Sequence, residues 1–303
     1  MKYFIDTEFI EGKQDKTFLG VKYGETKPTI DLISIGIVSE ATDDFNNYCN
    51  KCDKQVGLEG TKCNCEESIK TGYTVTYSKG GMIANAISRE YYAISKDFNL
   101  KQAWKNEWVR DNVLLSIYNY LRYTDYLDIN MKRIESHNIE ARHDYKDAIL
   151  KEIDYSWFKY LLNKYGKTNK QIAKEIIEFV YTSEGASQTI NGVLDKPLLC
   201  VDVAKVNPEF YGYYSDYDWV VFAQLFGTMM DLPVGFPMYC IDLKQTLDEK
   251  ALMYDDDQYS NLDIEGKVEY VKTNSKYPKQ TNEHNALADA KWNYELYKFL
   301  NTL

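Results

Sequence analysis

The chain opens on an alternating segment. In Lys2-Tyr-Phe-Ile-Asp-Thr-Glu-Phe9, Asp6 and Glu8 share one face of a strand while Ile5, Thr7 and Phe9 take the other. Apolar runs at 30–39 and 89–95 predict two more strands, which with 2–9 make an antiparallel meander. Further strands are expected near 198–203 or 209–214, and near 237–242. The period then changes. Apolar residues at 172, 173, 176, 177 and 180 have the spacing of an amphipathic helix over 169–182, with its apolar face against the sheet. Helices also fit 216–228 and 285–301, the latter with Asn285 as N-cap and Leu287, Ala290, Tyr294, Leu296 and Leu300 as its stripe. Strands first, then helices, then strand–helix alternation predict an α/β fold: a mixed sheet flanked by helices.

Two segments interrupt this plan within a single domain spanning 1–303. Residues 40–88 separate strands that a short hairpin would otherwise join, and they carry Cys49-x-x-Cys52 and Cys63-x-Cys65. Two thiolates two residues apart, with a second pair ten residues on, suit one structural Zn²⁺. Residues 116–168, rich in Tyr, Leu and Ile with charged partners, read as added helices, one of them over 144–153. His137 and His143 fall there with no metal-ligand spacing around them and read as surface or structural residues. Cys200 and Cys240 lie in apolar segments and read as core.

Composition narrows the class. With 303 residues, 44% of them hydrophobic, the chain can bury a large core. It has no run of 18 apolar residues and starts on a charged strand, so a soluble, cytoplasmic protein with no membrane partner is expected, its six cysteines reduced or metal-bound. The net charge of −10 argues against a processive grip on long nucleic-acid duplex. It does not argue against chemistry at a strand end, where divalent ions add local positive charge.

The candidate chemistry is carboxylate chemistry. Holding Asp6 and Glu8 side by side is costly unless a cation lies between them, and hard oxygen ligands suit Mg²⁺ or Mn²⁺. Near the C-terminus, His284 stands just before the 285–301 helix and Asp289 just over one turn inside it, so one helix end can present both to a single site. Asp218, in Tyr217-Asp218-Trp219, supplies a third acidic segment, with Asp216 two residues earlier as the alternative. Phe9, Tyr217 and Trp219 are candidates for stacking on bases, and Lys244 and Lys291 for phosphate contacts.

In this order the segments resemble the DEDDh branch of the 3′–5′ exonucleases, the superfamily of RNase T, oligoribonuclease and the DNA polymerase proofreading subunit. A bacterial and phage subgroup of exoribonucleases is the nearer likeness. It rests on Phe4-Ile-Asp-Thr-Glu-Phe-Ile-Glu11, Ile30-Asp-Leu-Ile-Ser-Ile-Gly-Ile-Val38, Glu90-Tyr-Tyr-Ala-Ile-Ser95, the segments 213–227 and 236–245, and His284-Asn-Ala-Leu-Ala-Asp-Ala290. The likeness touches both ends of the chain and covers about half of it.

The resemblance implies an RNase H-like fold on which Asp6, Glu8, Asp218 and Asp289 bind two Mg²⁺ or Mn²⁺ ions and His284 is the general base. It favours Asp218 over Asp216, because the family pattern puts an aromatic residue immediately before the ligand. It implies hydrolysis of single-stranded RNA or a 3′ overhang to nucleoside 5′-monophosphates. DNA remains open as substrate. So do a module that grips nucleic-acid ends without cutting and a nuclease whose insertions recruit a protein partner. The oligomeric state is likewise open.

Overall fold

The computed structural model describes residues 1–19, 21–40, 47–48, 55–56, 90–135, 152–183, 207–253 and 262–303. Its strands are β1 (Lys2–Gly12), β2 (Asp15–Phe18), β3 (Val21–Glu25), β4 (Thr29–Ser39), β5 (Asn47–Tyr48), β6 (Gln55–Val56), β7 (Glu90–Ile94), β8 (Glu209–Gly212) and β9 (Ile241–Asp242). Its helices are α1 (Leu100–Lys105), α2 (Leu115–Glu135), α3 (Tyr155–Tyr165), α4 (Asn169–Ser183), α5 (Asp216–Gln224), α6 (Leu243–Met253), α7 (Ile264–Lys272) and α8 (Ala286–Leu300). A π-helical stretch, Val109–Leu114, leads into α2. Cys49, Cys52, Cys63, Cys65, His137, His143, Cys200 and the strand alternative at 198–203 lie outside the described residues.

The fold is mixed α/β, with a five-stranded sheet ordered β7-β4-β1-β8-β9. The expected meander is present: β1 pairs antiparallel with β4, and β4 with β7. β8 then pairs parallel with β1, and β9 parallel with β8. Central strands of such a sheet are covered on both faces. On one face Tyr3, Ile5, Ile35, Ile37, Tyr91 and Ala93 pack against Ile172, Ile176 and Val180 of α4 and Trp219 and Phe222 of α5. On the other face there are two apolar clusters. Phe4 and Val38 join α6, α7 and α8, whereas Ile10, Ile33 and Ile94 join α1, α2 and α3.

Side-chain alternation along β1 sets the place of the site. Phe4, Asp6, Glu8 and Ile10 share a face, so the two acids fall at the seam between those clusters, Phe4 belonging to one and Ile10 to the other. A bulge supports the arrangement. Glu8 pairs with Ser34 and Phe9 with Leu32, which leaves Ile33 of β4 without a partner and turns it to the Ile10 side.

Two expected boundaries are corrected. The helix expected over 216–228 ends at Gln224, with Leu225 donating its N–H back to Phe222 C=O at 3.1 Å. Gly227 at φ +123° and the Thr228–Asp231 capping box then turn the chain. Leu225 and Phe226 stay apolar because they pack on the core, not because they are helical. The strand expected over 237–242 shrinks to Ile241–Asp242, since Pro237 has no N–H for a ladder and Asp242 is committed to α6, accepting the Gln245 N–H at 2.9 Å. The β2–β3 ribbon and helices α1, α6 and α7 stand outside the elements expected from periodicity.

Candidate metal centre

β8 stops at Gly212 while β1 continues, so the Ile5 C=O and the Thr7 N–H reach a side of β1 with no strand beside it. Two side chains from distant helices take their place. Asn293 of α8 donates its amide to Ile5 C=O at 2.9 Å, and Asp218 of α5 accepts the Thr7 N–H at 2.8 Å and the Thr7 hydroxyl at 2.6 Å. A buried backbone group left unpaired costs about 1–3 kcal/mol, so this gap in the ladder pulls both helices to the same point of the sheet.

The approach of α8 is set by a missing side chain. Gly36 stands opposite Asp6 in the register, and a Cβ there would come within 2.3 Å of Ala286 O and 2.5 Å of Leu287 Cα. Only glycine lets the first turn of α8 rest on β4 at this spot. Asn285 caps that turn, accepting the Ala288 N–H at 3.1 Å, and its amide donates to Ser116 of α2 at 3.3 Å across the seam. Asn282 and His284, just before the cap, adopt left-handed backbone at φ +57° and +64°. Strain of about 1–3 kcal/mol at such positions clusters at functional sites.

The result brings Asp6, Glu8 and Asp289 together, each offering a carboxylate oxygen within 4.8 Å of the others. Asp218 stands beside this trio, its negative charge adding to those around Asp6 and Glu8. Asp216, two residues earlier, is exposed, so Asp218 is the acid that α5 delivers. Asp289 accepts hydrogen bonds from the Gln280 amide at 2.6 Å and from the backbone N–H groups of His284 and Asn285. His284 is half-buried, its ring edge-to-face with Trp108 at 4.7 Å.

The electrostatics are those of buried acids crowded together. Burial and the charges of Asp218, Glu8 and Asp289 hold Asp6 well above the usual carboxylate range. Burial, then Asp289 and Asp218, push Glu8 up to about 8. Asp218 is raised by burial to about 6, its Thr7 hydrogen bonds opposing the shift, and burial also raises Asp289. Carboxyls crowded in an apolar seam repel one another as anions, and a cation among them relieves that repulsion. This buried acidic cluster can hold a metal ion.

A pH dependence follows. Groups raised above their ordinary values of 3.8 and 4.5 contribute stability that is fully present below those values and lost as pH rises through the folded ones, about 6 for Asp218 and about 8 for Glu8. A metal ion must displace the same protons. Between about pH 6 and about pH 8, the melting temperature of the metal-free protein should therefore fall while Mn²⁺ affinity rises. Titration calorimetry in buffers of different ionisation enthalpy counts the protons released. An affinity flat across this window would contradict the assignment.

The other candidates fare unevenly. Phe9 and exposed Tyr217 pair at 5.9 Å between ring centroids, next in sequence to Glu8 and Asp218. Trp219 is corrected to core: it is 7% exposed and stacks on Phe222 at 4.8 Å, so no base reaches it. Lys244 pairs with Asp248 and Lys291 with Glu90. Cys240 is half-buried, and burial pushes its thiol up to about 12. Sequence reading missed Asn293, Gly36 and Trp108. Asn293 carried a signal, being a polar residue on the buried stripe of α8. Trp108 carried none, since only the tertiary fold sets it against His284.

Fold and site together define a mixed α/β protein with a buried carboxylate cluster that could hold a metal ion. No protein-family model matches the chain, and comparison with curated proteins finds no match. Among the described residues no helix is long and apolar enough to cross a membrane.

Proposed function

We propose that the protein is a metal-dependent 3′–5′ exonuclease of the DEDDh type on an RNase H-like fold, which trims single-stranded RNA or a 3′ overhang to nucleoside 5′-monophosphates. The observation that carries this reading is the meeting of Asp6, Glu8 and Asp289 within 4.8 Å, beside Asp218, at the foot of the helix that His284 precedes. The preference for RNA rests on the likeness of the motifs to exoribonucleases.

In this reading Asp6, Glu8, Asp218 and Asp289 hold two Mg²⁺ or Mn²⁺ ions. Such a pair, when bound, lowers the pKa of a water and stabilises charge on the leaving 3′ oxygen. The chain supplies the rest. His284 takes the proton from the attacking water, the general-base part that an imidazole most often plays. Its left-handed backbone and the Trp108 indole orient the ring, which interacts with Asp289. Thr7 fixes the carboxylate of Asp218 through two hydrogen bonds, and the cap of α8 fixes Asp289. Phe9 and Tyr217 offer ring faces to the terminal base.

The test is to incubate RNA and DNA oligomers, labelled at either end, with Mn²⁺. Expected are mononucleotides from the 3′ end, faster for RNA, with turnover stopped by excess chelator and by a blocked 3′ end. Circular RNA degraded as fast as open RNA, or turnover untouched by chelator, would overturn the mechanism. Binding of ends without any products would favour a non-cutting module instead.

A further inference from the structure

Between the two longest strands the chain makes a detour. β1 ends at Gly12 and β4 begins at Thr29, and the residues between carry the β2–β3 ribbon. The outer part of this ribbon is unusually apolar for a surface: Phe18, Leu19, Val21 and Tyr23 are between 69% and 89% exposed. Lys16 and Phe18 share a face by alternation, Val21 stands opposite Phe18, and a bulge leaves Tyr23 without a partner. Exposed apolar groups concentrated on one protrusion mark a binding surface.

A two-stranded ribbon is marginal alone, so its root must be tied down if it is to hold anything. It is. Gln14, 8% exposed, donates its side-chain amide to Thr29 Oγ1 at 2.8 Å and to Asp31, and its N–H to Thr26 Oγ1 at 2.9 Å. Thr26 N–H returns a bond to Gln14 C=O at 2.9 Å. Asp15 takes Lys105 of α1 at 2.7 Å. The root is tied by these bonds while the outer face is exposed.

We infer that the β2–β3 ribbon is an arm that holds the single-stranded nucleic acid upstream of the 3′ end in the metal centre, with Phe18 and Tyr23 stacking on bases and Lys16 meeting phosphate. Two observations choose this occupant. The segment 13–27 has four lysines against two acids, in a chain of net charge −10, so the arm complements an anionic partner where the protein as a whole does not. The arm is also continuous with the metal centre: β1 runs from Glu8 into it, and α1, which anchors it, leads into Trp108 against His284. Ten residues separate Glu8 from Phe18, a reach of at most about 33 Å, enough for several nucleotides of strand. Aromatic stacking with a few cations is how single strands are held without base preference.

The inference rests on the exonuclease reading for the direction of the strand, and the test separates the two. Binding of a 5′-fluorescein single-stranded RNA oligomer is measured by anisotropy in Ca²⁺ for the wild type, Phe18→Ala/Tyr23→Ala and Lys16→Glu. Turnover of the same oligomer and of a dinucleotide is followed in Mn²⁺. The double variant should bind about tenfold or more weakly and raise KM for the oligomer to match, with dinucleotide turnover unchanged. Lys16→Glu should flatten the dependence of log K on log salt by about 1. A weakened oligomer complex without turnover of any substrate would sink the exonuclease reading and leave the arm standing. Unchanged oligomer affinity, or equal losses on oligomer and dinucleotide, would overturn the arm. So would self-association of the wild type that the double variant abolishes, which would assign the ribbon to a second copy of the chain.

Discussion

Asp6→Asn will lose both Mn²⁺ binding and turnover, yet it will not unfold the protein. Asp6 lies among Glu8, Asp218 and Asp289 and is held well above the usual carboxylate range by burial and by their charges. An amide of the same shape stays neutral where the buried carboxyl would have to ionise against its neighbours, so the metal-free variant should melt at or above the temperature of the metal-free wild type. What it removes as well is a hard anionic ligand, without which the remaining carboxylates hold a divalent ion poorly. His284→Ala is the contrast. Its ring is half-buried against Trp108 and neither ring nitrogen joins the trio, so the variant should bind Mn²⁺ as the wild type does. Turnover should fall by about 10²–10⁴, the usual contribution of general acid–base catalysis. Calorimetric titration of both variants beside a rate measurement decides the matter. Equal loss of metal binding in the two would make His284 a ligand or a structural residue, and Asp6→Asn with wild-type turnover would dismiss the site.

Gly36→Ala will damage the site from across the sheet. The new Cβ would lie 2.3 Å from Ala286 O, 2.4 Å from Ala286 C and 2.5 Å from Leu287 Cα, all of them backbone atoms. A flexible side chain could swing aside, but a capped helix end cannot. The first turn of α8 must lift from β4, and Asp289 moves away from Asp6 and Glu8 with it. Overpacking of this kind costs about 1–3 kcal/mol, visible as a lower melting temperature, and metal affinity should fall together with stability. Asp289→Asn provides the control, since it should lose metal affinity with a smaller loss of stability in the metal-free state, Asn keeping one of the two acceptor oxygens. A Gly36→Ala protein with wild-type stability and Mn²⁺ affinity would show that the close approach of α8 is not what assembles the cluster.

Much of the architecture could be read from residue spacing. Alternation in 2–9 placed Asp6 and Glu8 on one face, and that face carries both in the fold. The 3.6-residue period of 169–182 corresponds to α4, buried at Ile172, Ile176 and Val180. Asn285 was legible as a cap because a short polar side chain ahead of an apolar stripe satisfies a free N–H, and it does so for Ala288. The reading failed where local pattern and tertiary packing say different things. The apolar run through Phe226 mimics a helix that ends at Gln224, because the core takes Leu225 and Phe226 whatever their backbone does. The aromatic next to Asp218 looked available for stacking, but the helical turn carries Trp219 inward against Phe222 while Tyr217 stays out.

Local periodicity thus determined which side chains leave the backbone together: Asp6 with Glu8 on β1, and Asp289 one turn into a capped helix that His284 precedes. That information is short-range, because strand and helix geometry are set by neighbouring residues. Only the tertiary structure decided which of these groups meet. Asp218, already favoured over Asp216 by the motif likeness, is drawn to the site by a backbone N–H that β8 leaves unpaired 211 residues away in the chain, and Asp289 reaches the cluster because Gly36 has no side chain to stop it. Both depend on buried hydrogen bonding and close packing between segments remote in sequence, and neither leaves a periodic trace in either segment alone.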